Sequence, residues 1–248
     1  MEEKLILIYD DSFEGILTCL YYQAKHNNVY TISHKPMQKN IFVKHVYLKT
    51  NFKLASKMHN FLERTCSKNF IEDLYYCNLS SSDNKGSAIL QYFKLAKDFG
   101  KNVNKLFSHQ EAYPLRRLVR QVNLERHRFY GLLRFSEYDT FMLARYAPDN
   151  NITELIMPYF ADRLSCNKFV VLDEKRSFAG IYDTKNWFIR EGVNSKLFRN
   201  DDSDIFKKLW QEYYSSVSIK ERTNLSLRSQ HMPKRYWKYL TEINKEND

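Results

Sequence analysis

The stretch from Pro114 to Arg134 constrains the fold more than any other. At the helical period Leu115, Leu118, Val119, Val122 and Phe129 fall within one arc, while Arg116, Arg120, Asn123 and His127 run along the opposite line. An apolar arc of that width has to be buried against other elements, so this helix predicts a core beside it. The partners follow in the chain. Leu132 to Ser136 and Phe141 to Tyr146 read as two strands joined by a short acidic turn. Lys168 to Asp173 and Ser177 to Asp183 read as a second hairpin around Glu174, Lys175 and Arg176. Between the hairpins, Asn151 is placed to cap a helix holding Ile152, Leu155, Ile156, Tyr159 and Phe160, with Pro158 kinking it or starting a new turn. Two hairpins flanked by helices define an α+β class with an antiparallel sheet.

The N-terminal part reads differently. Leu5 to Tyr9 is short and apolar enough for a buried strand, and Asp10, Asp11 and Ser12 offer an N-cap, with Glu14 completing a capping box from Asp11. A helix patterned by Phe13, Ile16, Leu17 and Leu20 follows, then a short strand at Val46 to Leu48 and helices over about 53–65 and 87–99. Asn78 to Lys85 is the most loop-like segment. The expected organisation is one α+β domain over 1–248, with a candidate sub-boundary near 78–86 between a strand-helix region, 1–100, and a sheet followed by C-terminal helices, 101–248. From about Asp204 the chain reads as helical, with Pro233 opening the last helix.

Composition removes several classes. At 43% hydrophobic and 15% aromatic residues the chain carries too much buriable surface to stay disordered. The apolar run at Leu5 to Tyr9 is far shorter than a bilayer span, and Met-Glu-Glu-Lys does not open a secretory signal, so a cytoplasmic protein without a membrane partner is expected. Cys19, Cys66, Cys77 and Cys166 are scattered without a C-x-x-C pair, which predicts buried thiols rather than a zinc, iron–sulfur or disulfide site. With 6 glycines the chain has neither of the glycine-rich phosphate loops, and no cofactor is expected.

The net charge of +10 is concentrated. Between positions 105 and 134 seven basic residues (Lys105, Arg116, Arg117, Arg120, Arg126, Arg128, Arg134) face two acids, Glu111 and Glu125. Fixed arginines on one helix suit phosphate, because they release condensed counterions and match phosphate oxygens with two parallel donors. Arg126 falls within the apolar arc, so it either ends the helix or pairs internally, with Glu125 or an aspartate from the sheet. A second basic group, Lys220, Arg222, Arg228, Lys234, Arg235, Lys238 and Lys245, interleaves with aromatics in His231-Met232-Pro233-Lys234-Arg235-Tyr236-Trp237-Lys238-Tyr239. There Tyr236, Trp237 and Leu240 are expected to pack inward, with Lys234, Lys238 and Tyr239 outward for phosphate and base.

Three segments carry a resemblance. Glu125-Arg126-His127-Arg128-Phe129-Tyr130-Gly131-Leu132-Leu133-Arg134-Phe135, Pro158-Tyr159-Phe160-Ala161-Asp162-Arg163 and His231-Met232-Pro233-Lys234-Arg235-Tyr236-Trp237 resemble a bacterial family described as DNA metabolism or DNA repair proteins. The opening Tyr9-Asp10-Asp11-Ser12-Phe13-Glu14-Gly15 is similar to the start of the same family. The resemblance implies DNA as a partner, with RNA left open, and a radical-SAM DNA modification or repair protein as a companion. Related domains are fused to uracil-DNA-glycosylase-like domains. It supplies no catalytic residue, and Tyr159 stands where the family carries histidine. Radical-SAM chemistry needs clustered cysteines, so the resemblance assigns it to the companion.

The residues leave three functions open. The leading expectation is a nucleic-acid-binding component using Arg116, Arg117, Arg120, His127, Arg128, Arg134, Lys234, Arg235, Lys238 and Tyr239. The second is an enzyme, either base-excising with His127, Asp162 or His231 at its site and Asp149 beside the inserted helix, or phosphodiester-cleaving with Asp149, Asp162, Asp173 and Asp183 around a metal. Turn and cap duty is the plainer reading of those aspartates. The third is a protein-interaction adaptor whose basic stripe meets an acidic partner.

Overall fold

In a computed structural model of the chain, residues 4–36, 43–106, 109–138, 140–193 and 224–241, together with 209 and 216, are described. The chain divides into two units, Met1–Asn123 and Leu124–Asp248, and the division falls inside the long helix after Pro114. The expected helical stretch over 204–223, and with it Lys220, Arg222 and Lys245, lies outside the described residues.

The first unit is built on a three-stranded parallel sheet, β1 (Lys4–Ile8), β2 (Val29–Ser33) and β3 (Val43–Tyr47), in the order β2-β1-β3. Its central strand is apolar without alternation because both faces are covered, and Leu5, Ile6, Leu7 and Ile8 are all buried. α1 (Phe13–His26) joins β1 to β2. Its cap is Ser12, whose Oγ accepts from the Gly15 amide, rather than the expected Asp11–Glu14 box. Asp11 instead takes a left-handed backbone, φ 67°, and pairs with Lys85. α2 (Phe52–Thr65), α3 (Lys68–Asn78) and α4 (Lys85–Phe99) follow, capped at their starts by Asn51 and Ser67 for the first two. β2 and α3 have no counterpart among the elements expected from the sequence, and β3 begins three residues earlier than expected. The loop-like segment after Asn78 joins α3 to α4 within this unit. The core gathers Leu7, Ile16, Leu20, Ile32, Met58, Phe70, Leu74, Ile89, Phe93 and Leu115, with Phe70 stacked on Tyr92 at 4.9 Å.

α5 (Tyr113–Leu132) runs from the first unit into the second. The second unit then forms a five-stranded mixed sheet in sequence order: β4 (Phe135–Tyr138), β5 (Phe141–Tyr146), β6 (Phe169–Asp173), β7 (Phe178–Tyr182) and β8 (Trp187–Arg190). Both expected hairpins are present and antiparallel, and the class is α+β. The hairpins meet through a parallel pairing of β5 with β6, because α6 (Thr153–Arg163) crosses over the sheet between them. α6 starts after Ile152 with no side-chain cap, so Asn151 is not the cap expected, and it continues through Pro158. Leu132 ends α5 and residues 133–134 lie between it and β4, so the strand begins three residues later than expected, and β8 has no counterpart among the expected strands. α7 (Leu225–His231) and a 3-10 turn, Lys234–Tyr239, close the described chain, with Pro233 immediately before the turn. Cys19, Cys66 and Cys77 are buried thiols as expected, whereas Cys166 is exposed. No helix among the described residues is long and apolar enough to cross a membrane.

Candidate nucleic-acid interface

The inner side of α5 follows the expected arc. Leu115, Leu118, Val122 and Phe129 are buried, and the position that completes the spacing between Val122 and Phe129 is Glu125. A carboxylate on an apolar stripe has to be fully partnered or neutral. Glu125 is 3% exposed and accepts four donors within the second unit. Oε1 takes the Asp149 amide at 2.6 Å and the Tyr236 hydroxyl; Oε2 takes the Asn150 amide at 2.8 Å and its side-chain Nδ2 at 2.6 Å. Burial, together with this carboxylate acting as acceptor, holds the Tyr236 phenol well above its ordinary pKa. Arg126 does not end the helix, and it is half-buried. The first and last of the three segments that carry the resemblance thus meet at one point: Glu125 from the first, and Tyr236 from the last beside Phe129 at 4.7 Å. Tyr159 of the middle segment stacks on Tyr130 at 4.1 Å and receives Arg163 Nη1 on its hydroxyl at 2.9 Å.

The outer side of α5 is different in kind. In the first unit Tyr113, Arg117 and Arg120 succeed one another at steps of four and three, which is one line on a helix, and all three are exposed; in the second unit Leu124, His127 and Gly131 are spaced by three and four and are exposed as well. Neither set carries a carboxylate. Tyr113 and Leu124 are 63% and 46% exposed.

The ten residues expected to touch nucleic acid separate into two groups. In the first unit, Arg116 is half-buried, and its charge acts on Asp73 and on Tyr92. Burial pushes the Asp73 carboxyl up to about 6 against that attraction. In the second unit Arg128 donates to the Gln230 carbonyl at 3.3 Å, and Arg134 caps the end of α5 by donating to Gly131 and Leu133 carbonyls at 2.6 and 3.3 Å. Arg235 pairs with Asp149 at 2.7 Å and lies 4.7 Å over the Tyr236 ring. Lys238 stands 3.9 Å from Glu174 and 4.4 Å over Tyr239, whose hydroxyl donates to Glu174 at 2.8 Å. Tyr239 is therefore half-buried rather than exposed. Trp237 is half-buried, donates Nε1 to the Met232 carbonyl at 2.7 Å and has Arg228 and Lys234 over its ring at 5.6 and 5.8 Å. Exposed cations engaged by neither an acid nor a carbonyl in these contacts are Arg117, Arg120 and Lys234.

The catalytic candidates do not converge. His127, Asp162 and His231 are exposed, and no hydrogen bond, ion pair or ring contact joins them to one another. His127 meets Tyr130 edge-on at 6.0 Å. Asp173 accepts the Lys175 and Arg176 amides and pairs with Arg176 at 2.9 Å, and Asp183 accepts the Lys185 and Asn186 amides, so both hold turns. Among the described residues no three His, Cys, Asp or Glu are grouped to hold a metal ion.

Glu125 was missed in the sequence although its signal is there: Leu118, Val122, Glu125 and Phe129 keep the spacing of the apolar stripe, and one acid interrupts it.

Residues 83–242, well over half of the chain, match the domain of unknown function DUF4130, and the protein belongs to that family. The match takes in α4, α5, the whole mixed sheet and the 3-10 turn. No curated protein matches the chain.

Proposed function

We propose that the protein is a nucleic-acid-binding component of a bacterial DNA repair or modification system, presenting a bound strand to a radical-SAM or glycosylase-type partner. The observation that carries this reading is the outer line of α5 in the first unit, where Arg117 and Arg120 stand exposed with Tyr113 and without a carboxylate. Cations beside acids would find their counter-charge within the protein, as Arg235 and Lys238 do. Cations without them bind phosphate with little competition, and arginine does so through paired donors. The DNA context and the partner rest on the sequence resemblance. The partner supplies the chemistry, and this chain's part is to fix the backbone in register.

Fluorescence anisotropy with labelled duplex and single-stranded DNA at low salt tests the reading. Arg117→Ala/Arg120→Ala is expected to weaken binding roughly tenfold or more through lost phosphate contacts. Lys238→Ala, which removes a cation already facing Glu174, is expected to leave it unchanged. Equal affinity of wild type and the double arginine variant would refute the proposal.

A further inference from the structure

The two most exposed large apolar side chains among the described residues are Phe52 at 72% and Tyr47 at 71%. They stand five positions apart, Tyr47 as the last residue of the edge strand β3 and Phe52 as the first of α2. Neither belongs to the core of the first unit, whose contacts from this stretch come from Val46, Leu48, Ala55 and Met58.

The segment between them is held firmly. The Leu48 amide donates to the Ile8 carbonyl at 2.8 Å, Thr50 Oγ1 donates to Asp10 Oδ2 at 2.8 Å, and the Asn51 amide donates to Thr18 Oγ1 at 3.2 Å. Asn51 Oδ1 in turn accepts the Lys53 and Leu54 amides, both at 3.1 Å, and so fixes the start of α2. Two aromatic rings are therefore displayed on ordered backbone, so stacking on them loses little chain entropy.

The charge along this stretch of the chain has one sign. From Val43 to Leu62 the chain carries Lys44, Lys49, Lys53 and Lys57 and no acid. All four lysines are exposed. Asp10, which meets this stretch at Thr50, is occupied by Thr50 and by the Ser12 hydroxyl and amide.

We infer that Tyr47 and Phe52 form a stacking platform for unpaired bases, with the neighbouring lysines on the phosphates of the same strand. The inference rests on the nucleic-acid reading above and deepens it by naming the strand state. An exposed ring covers a free base face, which a duplex keeps covered by its own stacking, whereas lysines alone would not separate the two. This surface lies outside the DUF4130 match and shares no residue with the outer line of α5.

The test uses the full chain and a fluorescent 20-nucleotide thymidine oligomer beside a duplex of equal length. Tyr47→Ala/Phe52→Ala is expected to lower single-strand affinity roughly thirtyfold or more, the loss of two stacking contacts, while leaving duplex affinity within about twofold. The slope of affinity against salt should not change, because no charge is removed. Lys49→Ala/Lys53→Ala should instead reduce that slope by about 1.4, two single-strand phosphate contacts. A 2-aminopurine placed in the oligomer should lose the stacking-dependent fluorescence change in the aromatic variant only. Single-strand binding that survives in the aromatic variant but falls in Arg117→Ala/Arg120→Ala overturns the platform and leaves the α5 reading standing. Wild-type binding to duplex alone does the same, and binding to neither overturns both.

Discussion

Tyr236→Phe removes one hydroxyl and nothing else. The ring keeps its edge contact with Phe129 at 4.7 Å and its place under Arg235, so the loss is the hydrogen bond to Glu125, together with the hydrogen bond from the exposed Arg235 to the same hydroxyl. A bond to a buried carboxylate contributes about 1.5–3 kcal/mol. Glu125→Gln is expected to cost more. Two donors converge on each carboxylate oxygen, and an amide has one oxygen, so whichever way it turns two donors face an NH2 group. Two donors stranded in the interior cost about 2–6 kcal/mol together. For a chain of this size each kcal/mol moves the melting temperature about 2–4 °C, which places Tyr236→Phe about 3–12 °C below wild type and Glu125→Gln lower again. Tryptophan fluorescence is a suitable probe, because Trp187 and Trp237 belong to the second unit and the chain has no tryptophan before position 187. Since the residues share one contact, the double variant should fall short of the sum of the single losses. A Tyr236→Phe melting temperature within 1 °C of wild type, or a Glu125→Gln variant milder than it, would refute the view that Glu125 ties α5 to the loop before α6 and to the 3-10 turn.

Two further outcomes are expected in the first unit. Gly86→Ala would ordinarily stabilise a helix by about 1 kcal/mol, but a Cβ there lands on the Ile32 carbonyl oxygen of β2 and 2.8 Å from its carbon, so a net loss of about 1–3 kcal/mol is expected in urea unfolding; an unchanged or raised midpoint would show that α4 does not lie that close to β2. Asp73 carries a folded pKa of about 6, above the ordinary 3.8, so its contribution to stability is whole below about pH 4 and lost as pH rises through about 6. Asp73→Asn should therefore gain on wild type between pH 4 and pH 7 when urea midpoints are followed by circular dichroism, and a difference that is constant or shrinks with pH would contradict the burial of that carboxyl.

What the sequence disclosed depended on pattern. The 3.6-residue repeat in α5 survives in the structure because one side of the helix is buried, and β5, β6 and β7 were legible as short apolar runs between turn residues rather than by alternation. β1 was legible as a plain apolar run, but its partner β2 was not: Val29-Tyr30-Thr31-Ile32-Ser33 holds only two aliphatic residues, and its pairing with β1 is made by a crossover rather than a hairpin. α3 opens on Lys68-Asn69 and carries Glu72-Asp73 among its apolar residues, which hid its buried Phe70, Ile71 and Leu74. At the interface, composition located the cations, and only tertiary contacts could separate Arg117 and Arg120 from Arg235 and Lys238. Tyr239 was read outward because its acid, Glu174, lies 65 positions away. Tyr47 and Phe52 stood in plain view as aromatics, but a sequence does not reveal which aromatics a core declines.

The most direct measurement is the salt dependence of duplex binding for wild type and Arg117→Ala/Arg120→Ala. If both arginines rest on phosphates, log affinity against log salt should be shallower in the variant by about 1.8, so that raising salt from 50 to 200 mM costs the wild type about tenfold more affinity than it costs the variant. Parallel lines of equal slope, or a wild type that binds no nucleic acid at low salt, would contradict the assignment of the outer face of α5 to a nucleic-acid backbone.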